Sequence, residues 1–175
     1  MYLVTTSINR ARFLRGQFGG GAPLPRPPWA LPETEFTDRC TRCDNCIGVC
    51  PDQLLVRGGG GFPVIDFSRG GCDFCGECSA VCEPGVLARG DGERPPWALV
   101  ARIGGSCLAV NAVTCRCCGE VCAPRAIRFR LQTGGRAIPE LDQQACTGCG
   151  ACHAVCPVRA VEISALTDEW GEMTA

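Results

Sequence analysis

A chain of 175 residues can form one domain or two small ones, and a formal net charge of −1 gives nucleic acid no basic footprint to bind. Seventeen cysteines, beside only 6% aromatic residues and 23 glycines, exclude an ordinary hydrophobic-core domain: the core is thin and the thiols must act as a scaffold of disulfides or metal. No apolar run approaches the ~20 residues that cross a bilayer, so no membrane span is expected.

Residues 1–32 are rich in glycine and proline, carry Arg10, Arg12, Arg15 and Arg26, and contain no acid. Composition predicts a flexible basic tail. As a docking arm it would offer Phe13, Leu14 and Phe18 as anchors. The arginines in Asn9–Leu14 are not adjacent, and no apolar stretch of roughly 7–15 residues follows, so no export signal is expected. A cytoplasmic location follows. Thiols are kept reduced there, which favours metal over disulfides.

Next comes Cys40-Thr41-Arg42-Cys43-Asp44-Asn45-Cys46-Ile47-Gly48-Val49-Cys50-Pro51, a C-x2-C-x2-C-x3-C-P run. This spacing turns three thiolates onto one iron–sulfur cluster and carries the fourth toward another. The proline lacks an N–H and turns the chain sharply. Three further groups follow: Cys72, Cys75, Cys78 and Cys82; Cys107, Cys115, Cys118 and Cys122, with the first gap grown to seven residues; and Cys146, Cys149, Cys152 and Cys156. Zinc is the competing occupant, but C-x2-C pairs satisfy a zinc ion two at a time, and the third and fourth thiols of each run are then surplus.

Between the groups, Leu54-Leu55-Val56, Gly58 to Gly61 and Pro63-Val64-Ile65-Asp66 predict a hairpin. A second is predicted from Ala126-Ile127-Arg128-Phe129-Arg130, Gly134-Gly135 and Ala137-Ile138-Pro139. Strands are also expected at Val86-Leu87-Ala88 and Ala160-Val161-Glu162-Ile163, the latter pairing with Leu99–Ile103. The hexapeptide Arg26-Pro27-Pro28-Trp29-Ala30-Leu31 recurs letter for letter as Arg94-Pro95-Pro96-Trp97-Ala98-Leu99. The chain therefore reads as two halves, each led by this motif, with each tryptophan covering a cluster from water. Gly76, Gly148 and Gly150 are positioned to let backbone N–H groups approach sulfur, or simply to make the turn. Cys117 falls outside the spacing and reads as a bystander. His153, the lone histidine, cannot supply a two-histidine Rieske site and reads as a surface residue.

The expected fold class is α+β: the units resemble the bacterial two-[4Fe-4S] ferredoxin, here twice in tandem. The expected boundaries are a tail at 1–32, units at 33–92 and 93–166, and a C-terminal tail at 167–175. That resemblance implies crossed ligation, with Cys40, Cys43, Cys46 and Cys82 on cube one and Cys72, Cys75, Cys78 and Cys50 on cube two. Cube three would take Cys107, Cys115, Cys118 and Cys156, and cube four Cys146, Cys149, Cys152 and Cys122. A different pairing of the groups, first with fourth and second with third, occurs in related four-cluster subunits. The duplicated Arg-Pro-Pro-Trp argues for adjacent pairing.

The arginine-containing leader, Arg-Pro-Pro-Trp, the four groups and the split Cys107-x7-Cys115-x2-Cys118-x3-Cys122 together resemble the NapF-type ferredoxin family over about residues 7–165. The resemblance implies four [4Fe-4S] clusters and a cytoplasmic accessory role toward the precursor of the catalytic subunit of periplasmic nitrate reductase. The other expectation is an electron-transfer subunit of a multi-subunit oxidoreductase. Neither is an enzyme by itself: no nucleophile elbow, dinucleotide fingerprint or second histidine is present.

Overall fold

The computed structural model describes residues 25–90 and 95–165. Most of the predicted tail, and the whole C-terminal tail, lie outside the described residues.

Helix α1, Glu33–Arg39, is seven residues long and was not expected, because Phe36 is its one large apolar residue. Its charges suit it. Glu33 and Glu35 sit in the first turn and Arg39 in the last, complementing the helix dipole. Arg39 also pairs with Glu35 at 2.7 Å, one turn away. Phe36 is fully buried. The helix ends where Cys40 turns extended and the first cysteine run begins.

Helix α2, Asn45–Gly48, carries Cys46. The hairpin of β1, Leu55–Arg57, and β2, Pro63–Ile65, follows as expected, with Leu55 opposite Ile65. A 3-10 turn at Gly59–Gly61 joins the strands, with Gly60 at φ 68°. The Gly58 N–H closes the loop by donating to the Phe62 carbonyl at 2.8 Å. Helix α3, Glu77–Ala80, holds Cys78 and packs against α2.

The C-terminal half repeats this order. Strand β3, Leu99–Ile103, precedes helix α4, Cys117–Glu120. Strands β4, Ile127–Leu131, and β5, Ala137–Leu141, form the second expected hairpin. Helix α5, Ala151–Ala154, packs on α4, and β6, Val161–Ala165, pairs antiparallel with β3 from Leu99↔Ala165 to Ile103↔Val161.

In the N-terminal half the matching pair shrinks to one bridge, Ala30↔Leu87, so the strand expected at 86–88 does not extend. Pro27, Pro28 and Pro32 surround Ala30, each lacking the donor that a ladder needs. Of the residues assigned to the tail on composition, Pro27, Pro28 and Trp29 are buried and 25, 26, 30 and 31 partly so. Trp29 is 4% exposed, and the Ile65 N–H donates to the Pro25 carbonyl at 2.8 Å. Arg26 pairs with Glu33 at 2.7 Å.

The thiols belong to the core. One buried cluster joins Cys46 and Cys78 to Phe36, Leu54, Leu55, Ile65, Phe67, Val86 and Leu87. A second joins Cys118 and Cys152 to Ala101, Ile127 and Val161. The second core is short of bulk. A buried Leu or Phe contributes about 1.5–3 kcal/mol, and its buried residues include neither. Among the described residues no helix is long and apolar enough to cross a membrane.

Candidate metal centre

Three cysteine runs share one backbone device. The residues either side of the second cysteine are left-handed: Arg42 and Asp44 at φ 56° and 63°, Phe74 and Gly76 at 59° and 87°, Gly148 and Gly150 at 68° and 84°. Alternating left-handed residues curl the chain, so that thiols three apart turn to the same side. The third run departs from this, with Arg116 at φ −135°. Its longer first gap already lets the chain reach around. After the last cysteine all four runs agree again. Gln53, Gly85, Arg125 and Arg159, each three residues on, are left-handed at φ 51°, 67°, 52° and 49°. Each donates its N–H to the carbonyl of that cysteine, at 2.9–3.2 Å.

These loops place thiols around voids. Cys40, Cys43, Cys46 and Cys82 line one, walled by Phe36, Pro63, Val86 and Leu87. Cys50, Cys72, Cys75 and Cys78 line another, with Trp29, Leu54 and Ile65. Cys122, Cys146, Cys149 and Cys152 line a third, with Ala101, Ile127 and Ile163. In each, three thiols come from one run and one from its neighbour. Of the third set, Cys107 packs with Cys156 around Ala109 and Ala160, and the Cys118 thiol feels Cys107 and Cys115. Groups one and two, and groups three and four, are thus brought together.

Electrostatics explains what such a site takes. Burial pushes the Cys46 thiol up to about 12, with Cys78, Cys40, Cys82 and Cys43 adding to it. Burial likewise pushes Cys152 up to about 12, reinforced by Cys149, Cys146, Cys118 and Cys122. Cys72 also reaches about 12, and Cys78 and Cys118 about 11, burial leading in each case. Four thiolates around an apolar void repel one another unless cationic metal lies between them, so metal binding here releases protons. Zinc takes four ligands and would use C-x2-C pairs two at a time, leaving the other thiols of each run surplus, whereas a cubane uses all four of a set.

Two N–H···S bonds were not foreseen. The Ala101 amide donates to Cys146 Sγ at 3.5 Å and the Ala160 amide to Cys156 Sγ at 3.1 Å. The first donor lies in β3, far in sequence from its sulfur, while the second belongs to the turn four residues after Cys156. Cys117 Sγ lies 3.9 Å from Cys115 Sγ. His153 is half-buried rather than a surface residue, its Nδ1 2.6 Å from the Val161 carbonyl, tying α5 to β6. Trp29 lies on the wall of the second void, beneath the Arg89 guanidinium at 5.1 Å. Trp97 does not repeat that role. It stacks edge-on against Phe67 and Phe74 of the N-terminal half, at 5.8 and 5.3 Å.

Comparison with known proteins fits this arrangement. Residues 35–87 match the 4Fe-4S dicluster domain family and residues 139–162 the 4Fe-4S binding domain family, so the class is a 4Fe-4S ferredoxin-type protein. The chain is 40% identical to ferredoxin-type protein NapF of Haemophilus influenzae over 174 residues, 94% of this chain and 98% of that one. It is 40% identical to NapF of Escherichia coli over 153 residues, 87% and 92% of the two chains. Methylamine utilization ferredoxin-type protein MauM of Methylorubrum extorquens is 34% identical over 83% of this chain and 74% of its own. The chain belongs to the NapF family of ferredoxin-type iron–sulfur proteins.

Proposed function

We propose that the sixteen thiols hold four [4Fe-4S] clusters in the crossed sets Cys40, Cys43, Cys46, Cys82; Cys50, Cys72, Cys75, Cys78; Cys107, Cys115, Cys118, Cys156; and Cys122, Cys146, Cys149, Cys152. The protein then acts in the cytoplasm as an accessory factor for the catalytic subunit of periplasmic nitrate reductase, engaging the precursor before export. The observation that carries this role is kinship with NapF over nearly the full length of both chains. A cluster with four cysteine ligands supplies one-electron transfer and leaves no open position for substrate. The chain's own part is to exclude water with Trp29 and Phe36, to donate amides to sulfur from Ala101 and Ala160, and to present a docking surface. No catalytic residue is assigned.

Anaerobically purified protein is expected to carry about sixteen irons and equivalent sulfide per chain, and to capture the unexported catalytic subunit from a cytoplasmic extract. Recovery only with a membrane quinol-oxidising complex would overturn the accessory role in favour of an electron-transfer subunit. A further expectation concerns the odd thiol. Cys117→Ser should leave the iron content unchanged, whereas Cys115→Ser should cost about four irons. Iron loss in Cys117→Ser would place that thiol in the ligand set.

A further inference from the structure

The two halves meet at a specific place. The Cys72 amide, at the start of the second cage's own run, donates to the carbonyl of Cys149 in the fourth cage's run at 2.8 Å. Around that bond the fit is close. A Cβ on Gly71 would come within 2.6 Å of Ala151 Cβ and 2.8 Å of the Ala151 backbone nitrogen. A Cβ on Gly150 would overlap the Phe67 ring. Trp97 spans the joint: its ring packs on Phe67 and Phe74, and its Nε1–H donates to the Thr147 carbonyl at 2.9 Å. Phe74 lies between Cys72 and Cys75, and Thr147 between Cys146 and Cys149. One side chain therefore touches both ligand loops.

We propose that this joint is a coupling element, in which Gly71, Phe67, Phe74 and Trp97 are positioning residues that hold the second and fourth cages together across the Cys72–Cys149 bond. Within each half neighbouring cages already share crossed runs. The joint therefore sets one linear order through the molecule: first, second, fourth, third. It leaves the first and third cages as the two ends. The duplicated hexapeptide has diverged in use to build it, since Trp29 walls a single cage while Trp97 bridges two. This inference rests on the cluster content proposed above.

The test uses the full chain, reconstituted anaerobically and reduced with dithionite. In a Cys43→Ala/Cys115→Ala background only the inner cages fill, giving about eight irons. Its electron paramagnetic resonance spectrum is expected to show two magnetically interacting clusters. Adding Gly71→Val should collapse it to two isolated signals at unchanged iron, while Trp97→Phe, which keeps a ring at the joint, should retain most of the interaction. Isolated signals in the parent background, or an interaction that survives Gly71→Val, would overturn the coupling. A second readout is independent of metal: hydrogen exchange of the Cys72 amide should be slow in the unmodified chain and fast in Gly71→Val, and fast exchange in the unmodified chain overturns the joint itself. A chain without paramagnetic clusters but with a slow Cys72 amide would sink the cluster reading and leave the joint intact.

Discussion

Cys82→Ala is expected to strip about four irons from the protein, and to strip them from a cage whose other three thiols lie far earlier, in the Cys40–Cys46 run. The reason is topological. Helices α2 and α3 lie side by side, and Cys82, the last cysteine of the second run, lines the same space as Cys40, Cys43 and Cys46. Double substitutions make the assignment decisive. Cys40→Ala/Cys82→Ala should lose no more iron than either change alone, because both thiols serve one cage. Cys72→Ala/Cys82→Ala should lose about eight, because they serve two. If instead the first pair loses eight and the second four, each run fills its own cage and the crossed scheme is wrong.

The second large effect concerns a side chain with no metal to bind. Phe36 is fully buried against the first void and receives the Arg26 guanidinium over its ring at 4.8 Å. Phe36→Ala is expected to cost about 3–5 kcal/mol, from lost transfer energy and the cavity left behind. A typical domain has only about 5–15 kcal/mol in total. Here the aromatic supply is small, so few neighbours can close the gap. Urea unfolding of the reconstituted protein under argon should show a large fall in midpoint, with iron of the first cage released earliest. Leu131→Ala, at a residue 71% exposed, should stay within about 0.5 kcal/mol. Equal midpoints for the two variants would show that Phe36 contributes little and that clusters alone hold this half.

Much of this architecture is legible in the residues because metal-ligand spacing and glycine turns are local signals. Both hairpins lie where Gly58–Gly61 and Gly134–Gly135 separate apolar runs, and β3 pairs β6 as the Leu99–Ile103 pattern suggests. Three voids each gather thiols from two neighbouring runs, and the ligand sets drawn from them are the proposal made above. What escaped has a non-local cause. Helix α1 has too few apolar residues to show a period and forms because one of them, Phe36, finds a core made elsewhere. The packing of residues 25–32 was hidden by a proline-rich composition, yet Pro25 and Trp29 are fixed by partners at Ile65, Ala88 and Pro96. His153 looked like a surface residue because its partner, the Val161 carbonyl, arrives only with β6. The role of Trp97 could not be separated from that of Trp29 in identical hexapeptides, since the difference lies in what the surrounding fold brings near.

The contrast between the single bridge at Ala30↔Leu87 and the five-residue pairing of β3 with β6 has a consequence for synthesis on the ribosome. In the N-terminal half the Trp29 amide waits for the Pro96 carbonyl, to which it donates at 2.6 Å, and the Cys72 amide waits for the Cys149 carbonyl. The C-terminal half cannot zip shut until Ala165, the partner of Leu99, leaves the exit tunnel. For that interval a nascent chain can hold the first hairpin and the α2–α3 packing while β3 stays unpaired. The β3–β6 pairing is therefore the last of the described strand ladders to close.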